Sequence, residues 1–195
     1  MHEATTGKCR SSWVGPDLLH RPRAGDSVPG MAAKDEVLAV AAAHRLGFVR
    51  TDDWSMVAAH LLAIGHDGEA TTELAGLSGP ASGWQVDQLV PRLLSEIGAD
   101  CLDAEQAGEV MARLLAQVFP GDGHPVIRAL APLAASLDYP GGRIGQADYL
   151  DETLDCECHE GSQERRDADE FEAELRLLPP LDLAEGLLVA LVGAR

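Results

Sequence analysis

Lysine is nearly absent from this 195-residue chain: of 15 basic residues, 13 are arginine and only Lys8 and Lys34 are lysine. Acids number 32 and leave a formal net charge of −17. A surface of that sign repels phosphates, which argues against a nucleic-acid binder. No uninterrupted apolar run reaches the ~20 residues a membrane span needs, so no spanning helix is expected. Cysteine is sparse too. Cys9, Cys101, Cys156 and Cys158 do not make the dense, even framework of a secreted disulfide scaffold. The first residues hold neither a signal-peptide apolar stretch nor a twin-arginine pair. A cytoplasmic protein with reduced thiols is the expectation.

Catalytic fingerprints are missing as well. The chain has no G-x-x-x-x-G-K-[ST] phosphate loop, no G-x-S-x-G elbow, no H-E-x-x-H pair and no EF-hand loop. Glu-x-x-His pairs of the kind that hold two irons in helical bundles do not occur. Gly141-Gly142-Arg143-Ile144-Gly145 follows no strand pattern, so it does not read as a dinucleotide fingerprint.

What is present is helical period. Ala, Gly and Leu are abundant, which together with the arginine bias matches a GC-rich bacterial genome. The run Asp35 to Leu46 is alanine-rich with high helix propensity. Asp52-Asp53 opens a stripe of Trp54, Val57, Ala58, Leu61 and Leu62 that stops at Gly65. Asp67 is placed to cap a short helix carrying Ala70, Leu74 and Leu77. Ser82 is expected to cap a helix with Val86, Leu89, Val90, Leu93, Leu94 and Ile97 on one face, which Pro91 should kink or restart. Asp103 caps the most regular stripe: Ala107, Val110, Met111, Leu114, Leu115 and Val118. Pro125 suits a first helical position before Val126, Ile127, Leu130, Leu133, Ala134 and Leu137, a stripe that Pro132 should bend. The run from Leu187 to Val192 is apolar on all sides. With no strand to pair with, it reads as a buried helix. The fold class is all-α: a bundle of about six to eight short helices with a disordered N-terminal tail and an acidic C-terminal helix.

Three regions follow. Residues 1–30 are rich in Gly, Pro and Ser without apolar period, and read as a disordered tail or as sequence ahead of a true start at Met31. Residues 31–147 form the helical core. Residues 148–195 hold an acidic loop and helix plus an apolar terminal helix packed on the core. Between residues 148 and 185 there are 14 acids against three arginines, a net −11. Within that stretch Ala168, Phe171, Leu175 and Leu178 make a thin apolar stripe opposite Asp167, Asp169, Glu170, Glu172 and Glu174.

Two spots carry chemically capable side chains. Cys156, Cys158 and His159 lie together among carboxylates, and thiolate and imidazole are the ligands zinc prefers. The C-x-C spacing lacks the second knuckle of a structural zinc site, and carboxylate neighbours raise a thiol's pKa, which argues against a nucleophile. The other spot is Gly65-His66-Asp67-Gly68-Glu69 with Glu73. Glu69 and Glu73 are four apart, on one helix face, with His66 at its start, a set able to do acid–base work. It has no accompanying nucleophile or oxyanion arrangement. His44 and His60 stand singly on apolar helices and read as packed or half-exposed.

Residues 54–98 resemble a pattern found in small all-helical actinobacterial proteins of unknown function. It is carried by Trp54-Ser-Met-Val-Ala-Ala-His-Leu-Leu, Gly65-His-Asp-Gly68, Glu73-Leu-Ala-Gly-Leu77 and Leu94-Ser-Glu-Ile-Gly98. The resemblance implies an all-α fold and a bacterial source, and brings no activity or site residue. The function expected is a non-catalytic protein-interaction or regulatory module of immunity type, with a protein partner of basic charge. The alternatives are a metal-handling protein using Cys156, Cys158 and His159, and a small enzyme centred on His66, Glu69 and Glu73.

Overall fold

The computed structural model describes residues 29–77, 83–99, 102–120, 123–137, 141–154 and 163–192. Among them are ten α-helices, one 3₁₀ turn and no strand, so the all-α expectation holds and the helix count exceeds six to eight. Helix α1 (Pro29–Arg45) starts two residues before Met31 and buries its alanine face, Ala39 to Ala43. A 3₁₀ turn (Thr51–Asp53) leads into α2 (Trp54–Ala63), with Asp53 held by Arg50 Nε at 2.8 Å. Then come α3 (Glu69–Ala75) and α4 (Gly83–Glu96). Pro91 does not interrupt α4. The carbonyl that loses its donor belongs to Asp87, and both residues are exposed, so water can satisfy it.

Helix α5 (Ala104–Val118) opens with a full capping box. The Gln106 backbone N–H donates to Asp103 Oδ1 at 2.8 Å, and the Asp103 N–H donates to Gln106 Oε1 at 3.3 Å. Its stripe is buried from Ala107 to Leu115, but Val118 at the last turn is exposed. The next stripe is split where one bent helix is expected. Helix α6 (His124–Leu130) and the single turn α7 (Leu133–Ser136) are separated at Ala131-Pro132, because Pro132 has no N–H to continue the ladder. This break is one source of the higher count. Another is α8 (Gly142–Leu154), followed by α9 (Gln163–Leu177) and α10 (Glu185–Val192).

Helix α5 is the hub, packing on α1, α6, α8, α9 and α10. It comes close to α8 at Gly108, where a Cβ would lie 2.9 Å from Ile144 Cγ1. On the other side α2 packs on α3 and α10, and α3 on α4. The acidic helix α9 buries Ala168, Phe171 and Leu175 as its stripe predicts, and Leu187, Ala190, Leu191 and Val192 of α10 enter the core. The backbone N–H of Asp182 donates to Asp35 Oδ2 at 3.1 Å, 147 residues away, and the Ala184 N–H donates to Glu36. Glu36 is only 5% exposed. Burial pushes its carboxyl above the ordinary value; the Ala184 bond works against this, and the Asp182 and Asp35 charges add to it.

Candidate functional site

The Gly65 to Glu73 spot is structurally specific, in a way different from the acid–base reading. Glu69 and Glu73 do share a face of α3, and both reach Arg92 on α4, at 3.2 and 3.7 Å. The carboxylates are therefore paired to a guanidinium. His66 is half-buried in the preceding loop, its backbone N–H on Leu61 O at 2.9 Å and its Nε2 buried without a partner. No hydrogen bond joins His66 to Glu69 or Glu73 among the described residues.

The start of α3 is capped by a residue far along the chain. Asp67 makes no cap; Gly68 is the N-cap residue and has no side chain to give. Glu96, at the end of α4, accepts from the Ala70 N–H at 2.8 Å and from the Thr71 N–H and hydroxyl at 3.2 Å each. Desolvation alone would raise its carboxyl. The three hydrogen bonds and the Arg92 charge outweigh that and hold it below the usual carboxylate range. Gly68 makes room: a Cβ there would sit 2.1 Å from Glu96 Oε2. Arg92 and Glu96 are one helical turn apart on α4, and together they clamp α3. This is a structural junction.

Cys156, Cys158 and His159 lie outside the described residues, as do Cys9 and Cys101. Among the described residues, no group of three His, Cys, Asp or Glu could hold a metal ion, and no helix is long and apolar enough to cross a membrane. His44 lies edge-on to Trp54, ring centroids 5.5 Å apart. Partial desolvation of its ring, then the neighbouring Arg45 charge, lower its pKa. His60 rests against Gly186 of α10.

The feature that sequence reading does not locate is a groove of about 330 Å³ between α8 and α9. Leu150 and Phe171 form its buried floor, and Tyr149, 53% exposed, stands at its edge. Asp167, Glu170 and Glu174 supply carboxylates. Beneath it Arg143, with a side chain only 14% exposed, ties three helices together. Its Nε lies 3.1 Å from Glu109 of α5, its Nη1 binds Glu174 of α9, and its guanidinium lies 5.5 Å from the Phe171 ring centroid. An acid-walled groove with an apolar floor and an aromatic edge suits a long cationic side chain, whose stem can lie on Leu150 and Phe171 while its head meets carboxylate and Tyr149.

No family model, no curated protein and no solved structure matches the chain.

Proposed function

We propose that this chain is a non-catalytic protein-interaction module, regulatory and of immunity type, that binds a basic partner in the bacterial cytoplasm. The α8–α9 groove supports this reading most directly, since it gathers Tyr149 and the Glu170 carboxylate over an apolar floor, Glu174 beside them being paired with Arg143. The charge of the whole chain supports it too: a net −17 steers a basic partner and raises its rate of encounter at low salt. The resemblance of residues 54–98 to small helical bacterial proteins fits the same reading, since that region is helix punctuation and a clamped junction.

The test is capture from a lysate of the source cells with the immobilised full chain, at low and at moderate salt, beside Tyr149→Ala and Glu170→Lys. A basic protein retained by the unmodified chain and lost with either variant supports the proposal. Equal retention by the variants, or no specific partner at either salt, overturns it. Hexa-arginine serves as a defined probe: its titration should shift the backbone NMR signals of Gln146, Tyr149 and Glu170, and shifts confined elsewhere count against the groove.

A further inference from the structure

A second recess differs in character and stands apart from the acidic groove. It is a cleft of about 250 Å³ where the end of α5, the start of α6, the end of α9 and the segment after α9 meet. Its apolar wall comes from Phe119, Val126, Leu175 and Leu178. Phe119 is 37% exposed, in contrast with the fully buried Val126. The cleft also gathers charge of the scarce sign, with Arg113 and Arg176 against the single carboxylate of Glu172.

The two arginines are not equivalent. Arg176 is already bound to Glu172, one turn earlier on α9. Arg113 is half-buried, and its Nε donates to the carbonyl of Pro179 at 3.0 Å. That bond anchors Nε and leaves the terminal nitrogens as donors, in the fork that matches a carboxylate. Gln117 is anchored in the same wall: its Nε2 donates to Leu181 O at 2.9 Å, while its Oε1 is buried with no donor. The lining is thus net positive and half-apolar on a chain of net −17.

From this arrangement we infer a binding site for a small amphipathic monocarboxylate. Its carboxylate would pair with Arg113 and its apolar body would lie on Phe119, Leu178 and the edge of Leu175. At roughly 30 Å³ per water-sized group the cleft takes a body of about eight heavy atoms, just under the ~300 Å³ at which ligand pockets usually begin. The site is independent of the basic-partner reading, since it uses other residues and the opposite charge.

The test is titration of the full chain with phenylacetate, read by two-dimensional amide NMR, with 2-phenylethanol and 2-phenylethylamine as neutral and cationic controls. Saturable shifts at Phe119, Val126 and the Gln117 side chain, with a Kd of about 1 mM and at least about tenfold weaker binding of both controls, are the expected result. Arg113→Gln should lose about tenfold in affinity, and Phe119→Ala, a change at an exposed position, about threefold or more. Equal binding of the alcohol and the acid overturns the site, as does the absence of shifts at these residues with phenylacetate. An unchanged affinity in folded Arg113→Gln does so too. The wild-type comparison of acid, alcohol and amine requires no variant to fold.

Discussion

Removing the Glu96 carboxylate should loosen α3 specifically. Three donors converge on this one side chain: the Ala70 N–H at 2.8 Å and the Thr71 N–H and hydroxyl at 3.2 Å. Loss of a capping side chain costs about 0.5–2 kcal/mol, and hydrogen bonds to a charged group about 1.5–3 kcal/mol. Glu96 is itself largely exposed, so water screens the charge and the lower part of those ranges applies. Glu96→Ala should therefore cost about 1–2 kcal/mol at neutral pH, and Glu96→Gln about half of that. In a domain of this size 1 kcal/mol moves Tm by about 2–4 °C, so the alanine variant should melt about 2–8 °C lower. The pH dependence has a definite sign. The folded pKa of Glu96 lies below its ordinary value. Its contribution is therefore present above the unfolded value of about 4.3 and fades as pH falls through the folded value. Wild type and Glu96→Gln should converge in acid. Urea unfolding followed by circular dichroism reads all of this. A second perturbation reaches the same contact from the other side. Gly68→Ala would place Cβ 2.1 Å from Oε2 and must displace the carboxylate. The double variant should then cost less than the sum of the singles, by about 0.5 kcal/mol or more. Strict additivity, or a Glu96→Ala cost below about 0.5 kcal/mol at neutral pH, would refute the capping account.

Arg143→Met keeps the apolar stem but strands Glu109 and Glu174; because those carboxylates are 45% exposed, the cost should be about 1–3 kcal/mol by denaturant titration. Arg143→Lys should recover only part of it, since an ammonium cannot reproduce the fork. Glu36 has a raised folded pKa, so its contribution is full below the unfolded value and is lost as pH rises through the folded one. Glu36→Gln keeps an acceptor for the Ala184 N–H. It should raise stability at neutral pH, by up to about 1 kcal/mol, and give no gain in acid; thermal melts across pH check it. Gly108→Ala brings a Cβ to 2.9 Å from Ile144 Cγ1. Overpacking costs about 1–3 kcal/mol and the helical gain offsets about 1. The net loss should shrink but persist beside Ile144→Val, which removes Cδ1 at 3.0 Å and keeps the γ-carbon, as measured by urea unfolding.

Local signals made much of this fold readable. The α5 stripe, its Asp103 cap and the Gly65 stop of α2 are encoded within one or two turns of chain, where spacing alone decides. Helix α8 is hard to read because its apolar positions, Ile144, Ala147 and Leu150, are thinly spaced among polar residues and the helix opens on a glycine. The Glu96 cap is not local at all. Asp67 has the right chemistry and position to cap α3, and a carboxylate 26 residues away takes the role instead. Both grooves escape sequence reading for the same reason. Tyr149 and Glu170 come from different helices, as do Arg113 and Arg176, and only their packing about α5 makes them neighbours. The pairing of Glu69 with Glu73 was visible as a helical spacing; the Arg92 that occupies both was visible only as one more exposed cation.

The bond from Asp182 to Asp35 has a consequence for how the chain is made. A ribosome delivers α1 before the other described helices, yet α1 packs in part on α10, the last of them, beside the Asp35–Asp182 bond. Until α10 emerges, α1 has only α5 to lean on among its principal neighbours. The nascent chain therefore holds an incompletely covered surface from the synthesis of α1 until that of α10, and a ribosome stalled between them would display it to chaperones and proteases.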